Sequence, residues 1–375
     1  MNEALASRAR RSLAAAPSGV YLNTAAEGLL LRSSAAAWER YAVAKARGAL
    51  GRAEFVRLED EARERFATAV SARTEDVAFV ASTSRGLDIV LKGIDWSAGD
   101  VLVTLAGEFP STLFNTELLR SQGVEVRTVA ARTGAVFEDD IVAAIDVRTR
   151  LVVASMVSFR TGQRLDFSPV GTRAREVGAL VFADAVQAVG SGEVSMDGID
   201  VLCAATFKWQ LGVHGAAGFV VTSRAREILS PSYAGYRSVA ELFPSHPSRF
   251  RFHDDARRFE EGMPAFPALA VLSASLAELE AWGYANIGEH NRCGVRMLRD
   301  GLANLGIVPL LADETVPTGG IVAFESADHE RIAGELARQD TAVWARDGRV
   351  RLAVHAYTTA DDIETVLDQL KKIGM

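Results

Sequence analysis

Apolar residues in this chain fall into short uninterrupted runs, separated by longer stretches in which they recur at helical spacing. The runs over 76–80, 100–104, 123–129, 150–154, 179–184, 201–205 and 215–222 are too short for helices and rich in Val, Leu and Phe. They predict strands, most of them buried on both faces. Helical spacing predicts helices over 33–50, 59–70, 87–94, 113–121, 137–144 and 170–177. Strands alternating with helices through short polar loops build a parallel sheet covered on both sides, so the fold class is α/β. A loop-rich aromatic stretch follows at 233–254, with Pro244 and Pro247, and a long helix begins at 268. Beyond it the pattern predicts helix 291–305, strand 320–324, helix 329–339, strand 349–354 and helix 359–372. The expected organisation is a mainly parallel sheet in a large domain, residues 17–265, and a smaller α+β C-terminal domain made of 266–375 together with 1–16.

Open sheets of this kind bind ligands beyond the carboxyl ends of their strands. Thr83, Phe109, Phe159, Asp184 and Lys208 all lie at or just after such ends. Lys208 follows an apolar run and is flanked by Phe207 and Trp209; partial desolvation favours its neutral amine, the form that makes a Schiff base with a carbonyl compound. Asp184 closes the preceding run and could hold a positive charge nearby. The stretch Ser82-Thr83-Ser84-Arg85-Gly86 joins a strand to a helix, where hydroxyls, free N–H groups and the helix dipole make an anion site. Taken singly, the charges read equally well as strand-end groups facing water, and the hydroxyls as a plain N-cap. Five such residues at one edge of one sheet point instead to shared chemistry.

Length and composition narrow the picture. A chain of 375 residues that is 49% apolar can bury a sizeable core. A net charge of −7 with acids and bases interspersed argues against a nucleic-acid footprint or a polybasic membrane patch, and leaves a small molecule as the natural partner. The two cysteines, Cys203 and Cys293, make neither a disulfide framework nor a zinc site, so no metal is expected and a reducing, cytoplasmic setting is. Residues 1–16 include Glu3 and have no continuous apolar segment, unlike a secretory signal. No run approaches the ~20 apolar residues of a membrane span.

The ordered pieces Tyr21-Leu-Asn23-Thr-Ala-Ala, Thr83-Ser84-Arg-Gly86, Glu108-Phe109-Pro-Ser, Thr161-Gly-Gln163, Asp184-Ala-Val-Gln187, Thr206-Phe207-Lys208-Trp209, Arg258-Phe-Glu-Glu-Gly262 and Arg351-Leu-Ala-Val-His-Ala-Tyr357 resemble the class V aminotransferase family of pyridoxal-phosphate enzymes. That family includes cysteine desulfurases, isopenicillin-epimerase-like proteins and kynureninases, and the similarity runs from Tyr21 to about Leu370. It implies fold type I, pyridoxal 5'-phosphate as cofactor, and a homodimer with active sites between subunits. It further implies that Lys208 holds the cofactor as a Schiff base and later shuttles the proton at the substrate's Cα, while Asp184 pairs with the ring nitrogen. Gln187 would lie near the ring's phenolic oxygen, Phe109 over the ring face, and Thr83, Ser84 and Thr206 on the phosphate. Arg351 would grip the substrate carboxylate, with Asn23 beside the substrate.

Departures from the family pattern shape the expected function. Phe207 replaces a histidine that contacts phosphate in many relatives, Met263 a threonine that reaches the partner's cofactor, and Phe159 a polar residue near the ring oxygen. Residues 341–351 contain no cysteine, whereas desulfurases need a nucleophilic thiolate on a loop there. The expectation is therefore an amino-acid enzyme with aminotransferase or epimerase chemistry, not a cysteine desulfurase. The alternatives are a kynureninase-like side-chain lyase, or a catalytically silent metabolite-binding relative.

Overall fold

A computed structural model describes residues 1–375. The chain opens with α1 (Glu3–Ser12), β1 (Val20–Tyr21), α2 (Arg32–Ala46) and α3 (Arg52–Ala69). The large sheet and its covering helices follow as β2 (Val77–Val80), α4 (Thr83–Gly93), β3 (Val101–Leu105), α5 (Pro110–Glu117), β4 (Glu125–Val129), α6 (Glu138–Ala144), β5 (Thr149–Ser155), α7 (Phe167–Val177), β6 (Leu180–Asp184), β7 (Val201–Ala205) and β8 (Ala217–Val221). After α8 (Ser223–Ile228) and an irregular stretch come α9 (Phe266–Trp282) and α10 (Tyr284–Asn304). The chain ends with β9 (Ile321–Glu325), α11 (His329–Ala337), β10 (Thr341–Ala342), β11 (Trp344–Arg346), β12 (Arg349–Ala353) and α12 (Ala360–Lys372). No helix is long and apolar enough to cross a membrane.

The large sheet has the order β2-β8-β7-β6-β5-β3-β4. Only β8 is antiparallel to its neighbours; the other pairs are parallel. Successive residues point to opposite faces, and both faces are covered, which is why the strands are continuous apolar runs. Val101, Val103 and Val152 face one core together with leucines of α9. Leu102, Leu151, Val153 and Cys203 face another, against Leu87 and Val90 of α4. Because β2, β3, β5, β6 and β7 run the same way, their carboxyl ends meet at one edge.

A second, three-stranded sheet, β11-β12-β9, is antiparallel and packs on α10, α11 and α12. The first strand joins this part of the molecule: β1 pairs in parallel with β10, and the Ala353 N–H donates to the Leu22 carbonyl at 2.8 Å. The expected division at residue 266 cuts across the packing. Leu269, Leu272, Leu276 and Leu279 of α9 lie in the core of the large sheet, as do Leu5 and Ala9 of α1. The crossover falls inside α10, whose Ile287 packs in that core while Val295, Leu298 and Leu302 pack in the small one.

Candidate functional site

At the common carboxyl edge of the sheet lies a cavity of about 240 Å³ lined by Thr83, Phe109, Phe159, Asp184 and Lys208, among others. All five strand-end residues singled out from the sequence thus meet in one place. Lys208 sits in the turn after β7, half-buried, with no ion pair or hydrogen bond to its ammonium. Its Nζ lies 5.6 Å from the ring centroids of both Phe109 and Phe207. Burial, and then the Arg351 guanidinium, bring its pKa down from 10.5 to about 8, against the opposing pull of Asp184 and Glu27. A substantial fraction of the amine is therefore neutral and nucleophilic near pH 7.5.

Asp184 closes β6, and its Oδ1 accepts the Val186 N–H at 3.0 Å. Burial raises its pKa, while that hydrogen bond and the Lys208 ammonium pull it back toward the ionised form. The side chain lines the lysine's cavity, and its second oxygen has no hydrogen-bond partner in the protein.

The other wall is the start of α4. Ser82 is its N-cap, accepting the Arg85 N–H at 3.1 Å, and Thr83 and Ser84 line the cavity beside the free N–H groups of the first turn. Thr83 also accepts the Ala205 N–H through Oγ1 at 3.0 Å, tying the helix start to the end of β7. Gly86 lets α4 lie flush on that strand: a Cβ there would come within 2.5 Å of the Cys203 Sγ. Phe109, 43% exposed, caps the cavity and meets Phe159 edge to face at 5.3 Å between centroids.

Gln187 lines the same cavity, with most of its amide engaged. Its Oε1 accepts the indole N–H of the fully buried Trp209 at 2.6 Å, and its Nε2 donates to the Ala25 carbonyl at 3.1 Å. One N–H is left for a ligand. Thr206 departs from expectation. Its hydroxyl donates to the Val213 and Ala216 carbonyls, at 2.6 and 3.2 Å, so it pins the loop before β8 and does not line the cavity.

Arg351 and Asn23 approach from the small sheet. Arg351 donates from Nη1 to the Phe159 carbonyl at 3.0 Å, while its Nε is buried without a partner. Burial and the neighbouring Arg349 bring its pKa down to about 9. Asn23 bridges Ala353, two residues beyond Arg351 on β12, and its Oδ1 is likewise buried and unpartnered. Neither borders the lysine cavity directly. The loop carrying Phe159 is held to β9 through Gly162, whose φ of +82° and close approach to the Ile321 carbonyl admit no side chain.

Glu108 and Ser155 were not singled out from the sequence. Glu108 is buried, accepts the Ser155 N–H at 2.6 Å through Oε1 and is bonded to the Ser155 hydroxyl through Oε2. Burial lifts its pKa from 4.5 to about 7, with Asp184 adding to the rise. Ser155 lines both the lysine cavity and an adjoining one of about 530 Å³. The only signal for Glu108 was an acid three residues past a buried strand, within the piece Glu108-Phe109-Pro-Ser.

The family model described as aminotransferase class-V matches residues 30–366. The chain is 27% identical over 338 residues to a probable cysteine desulfurase of Methanothermobacter thermautotrophicus, covering 84% of this chain and 83% of that one. It is 25% identical over 319 residues to the uncharacterized aminotransferase YcbU of Bacillus subtilis, covering 84% of each. The apo structure of a cysteine desulfurase from Thermococcus onnurineus superposes with a TM-score of 0.88 at 21% identity, over 98% of this chain and 97% of that one, which shows a shared fold. With the family model spanning nearly the whole sequence, the chain belongs to the class-V aminotransferase family.

Proposed function

We propose that this protein is a pyridoxal-phosphate enzyme that acts at the Cα of an amino acid, with Lys208 as both the covalent anchor of the cofactor and the proton carrier. The observation that carries the reading is the half-buried, unpartnered Lys208 amine, its pKa brought down to about 8, facing the Asp184 carboxylate in a cavity closed by the start of α4. The residues fit the cofactor's chemistry: an amine for an aldehyde, a carboxylate for a ring nitrogen, hydroxyls and helix N–H groups for a phosphate, and the Phe109 face for a flat ring. When bound, pyridoxal 5'-phosphate supplies a ring that withdraws electrons from the substrate's Cα. Asp184 keeps the ring nitrogen charged; Thr83 and Ser84 hold the phosphate. Arg351 orients the substrate by its carboxylate, and the Lys208 Nζ takes and returns the Cα proton.

The family resemblance includes cysteine desulfurases, and the chain's own thiols speak against that chemistry here. Residues 341–351 fold as β10, β11 and the start of β12 with no cysteine. Cys203 is sealed beneath α4, with its thiol pushed well up by burial. Cys293 sits on α10 with its Sγ against Glu289 at 3.2 Å. Transamination or epimerisation is therefore favoured over sulfur transfer to the protein, with side-chain cleavage as the second reading. A second copy of the chain is part of the proposal, on the strength of the family resemblance.

Borohydride reduction of the protein reconstituted with the cofactor, followed by peptide mapping, tests the core of this reading. A reduced adduct on the peptide containing Lys208 is expected, and its absence would refute it. Product analysis with and without a keto-acid acceptor separates transamination from cleavage.

A further inference from the structure

Arg349 and Arg351 stand two residues apart on β12, so both side chains leave the same face of the small sheet. Each is 4% exposed, and each has a buried Nε with no partner. Both guanidinium groups lie over the ring of Trp344, at 5.5 and 4.7 Å from its centroid. The Arg349 guanidinium is also 5.9 Å from the ring centroid of Phe159, whose carbonyl accepts from Arg351. The pair is thus fixed against a residue that lines the lysine cavity.

Its charge is not balanced by the protein. The only carboxylate within ion-pair distance of either group is that of the exposed Asp347, 3.6 Å from the Arg349 Nη2. Arg160 adds a further positive charge next to Arg349, with Glu325 opposing it from β9. Two guanidinium groups withdrawn from water side by side repel each other and leave donors unmet. A ligand bearing two anionic groups would satisfy both, and planar guanidinium forks are suited to carboxylates. Nothing about a single α-carboxylate, already provided for by Arg351, accounts for the second group.

We propose that Arg349 binds an acidic group on the substrate's side chain, so that the enzyme takes dicarboxylic amino acids: Arg351 receives the α-carboxylate and Arg349 the distal one. Two residues of strand separate the points of attachment by about 6.6 Å, which suits a substrate of glutamate length or longer. The assignment deepens the reading of Arg351 given above and rests on it.

The test begins with the full-length, cofactor-free protein and two simple probes, glutarate and butyrate, titrated by calorimetry. Glutarate is expected to bind roughly 10- to 100-fold more tightly, the usual range for a hydrogen-bonded charged group. R349Q should abolish that advantage and leave butyrate affinity unchanged, with circular dichroism confirming the fold. Equal affinity for the two acids in the parent protein, or equal weakening of both in R349Q, overturns the assignment. If R349Q does not fold, R349K and the parent comparison still decide. In the reconstituted enzyme, glutamate should perturb the cofactor's absorption at a concentration at least about 10-fold below that needed for glutamine; no preference overturns the proposal. Borohydride trapping separates the two readings: an adduct on Lys208 with no glutarate preference refutes only the acidic-substrate assignment, whereas no adduct refutes the cofactor reading itself.

Discussion

Replacing Lys208 by methionine should make the cofactor-free protein more stable. The folded environment moves the amine's proton equilibrium from 10.5 to about 8, chiefly by burial and then by Arg351. That displacement corresponds to about 3 kcal/mol against the charged form. The unfolded chain binds the proton up to pH 10.5 and the folded chain only up to about 8, so stability rises with pH between these values and the full cost is present below them. Methionine keeps the length of the side chain and removes the charge. Urea denaturation followed by circular dichroism should show Lys208→Met more stable than the parent by about 3 kcal/mol at pH 7, with the gain shrinking to below about 1 kcal/mol above pH 10.5. No gain at pH 7, or the same gain at both pH values, would refute the claim that the site holds its lysine at a cost in stability.

Three further outcomes follow from the same geometry. The Glu108 carboxyl, lifted to about 7 by burial, binds its proton more tightly in the folded protein, so the stability it contributes is complete below pH 4.5 and is lost as pH rises through 7. Glu108→Gln should therefore exceed the parent by up to about 3 kcal/mol at pH 8 and match it at pH 4.5 in the same urea assay. Gly86→Ala drives a methyl group into the Cys203 Sγ and should cost about 1–3 kcal/mol; the double variant with Cys203→Ala should recover most of that loss, and a double variant as unstable as the single one would contradict it. In the native protein Ellman's reagent should modify Cys293 alone, and Cys203 only after unfolding, because Cys203 is fully buried with its thiol pushed up.

Much of the site was legible because chemistry at the end of a buried strand has a sequence signature. Val201–Ala205 is apolar throughout since both faces of the sheet are covered, and the first charge beyond it, Lys208, falls at the edge where ligands bind. Asp184 ends Leu180–Asp184 in the same way. Thr206 shows where such reasoning stops: a hydroxyl next to the lysine is near the cavity in sequence, but its direction is set by the carbonyls of Val213 and Ala216 in a loop that pattern does not describe. Which core each C-terminal helix joins was illegible for a similar reason. The apolar residues of α9 and α10 reveal that each helix is buried, not against which sheet. Strands of two or three residues, β1, β10 and β11, are too short for any periodicity and exist only through their pairing.

The joining of β1 to β10 has a consequence for how the protein is made. All seven strands of the large sheet lie between residues 77 and 221, so that sheet can assemble while the chain is still emerging from the ribosome. Val20 and Leu22 must wait for Thr341, Ala342 and Ala353, the partners that bury them. Lys208 and Asp184 are in place first, and Arg349 and Arg351 follow them by more than a hundred residues of synthesis. During that interval Val20 and Leu22 lack their neighbours in the C-terminal part of the chain. A cofactor that binds early would therefore meet a site that Arg349 and Arg351 have not yet joined.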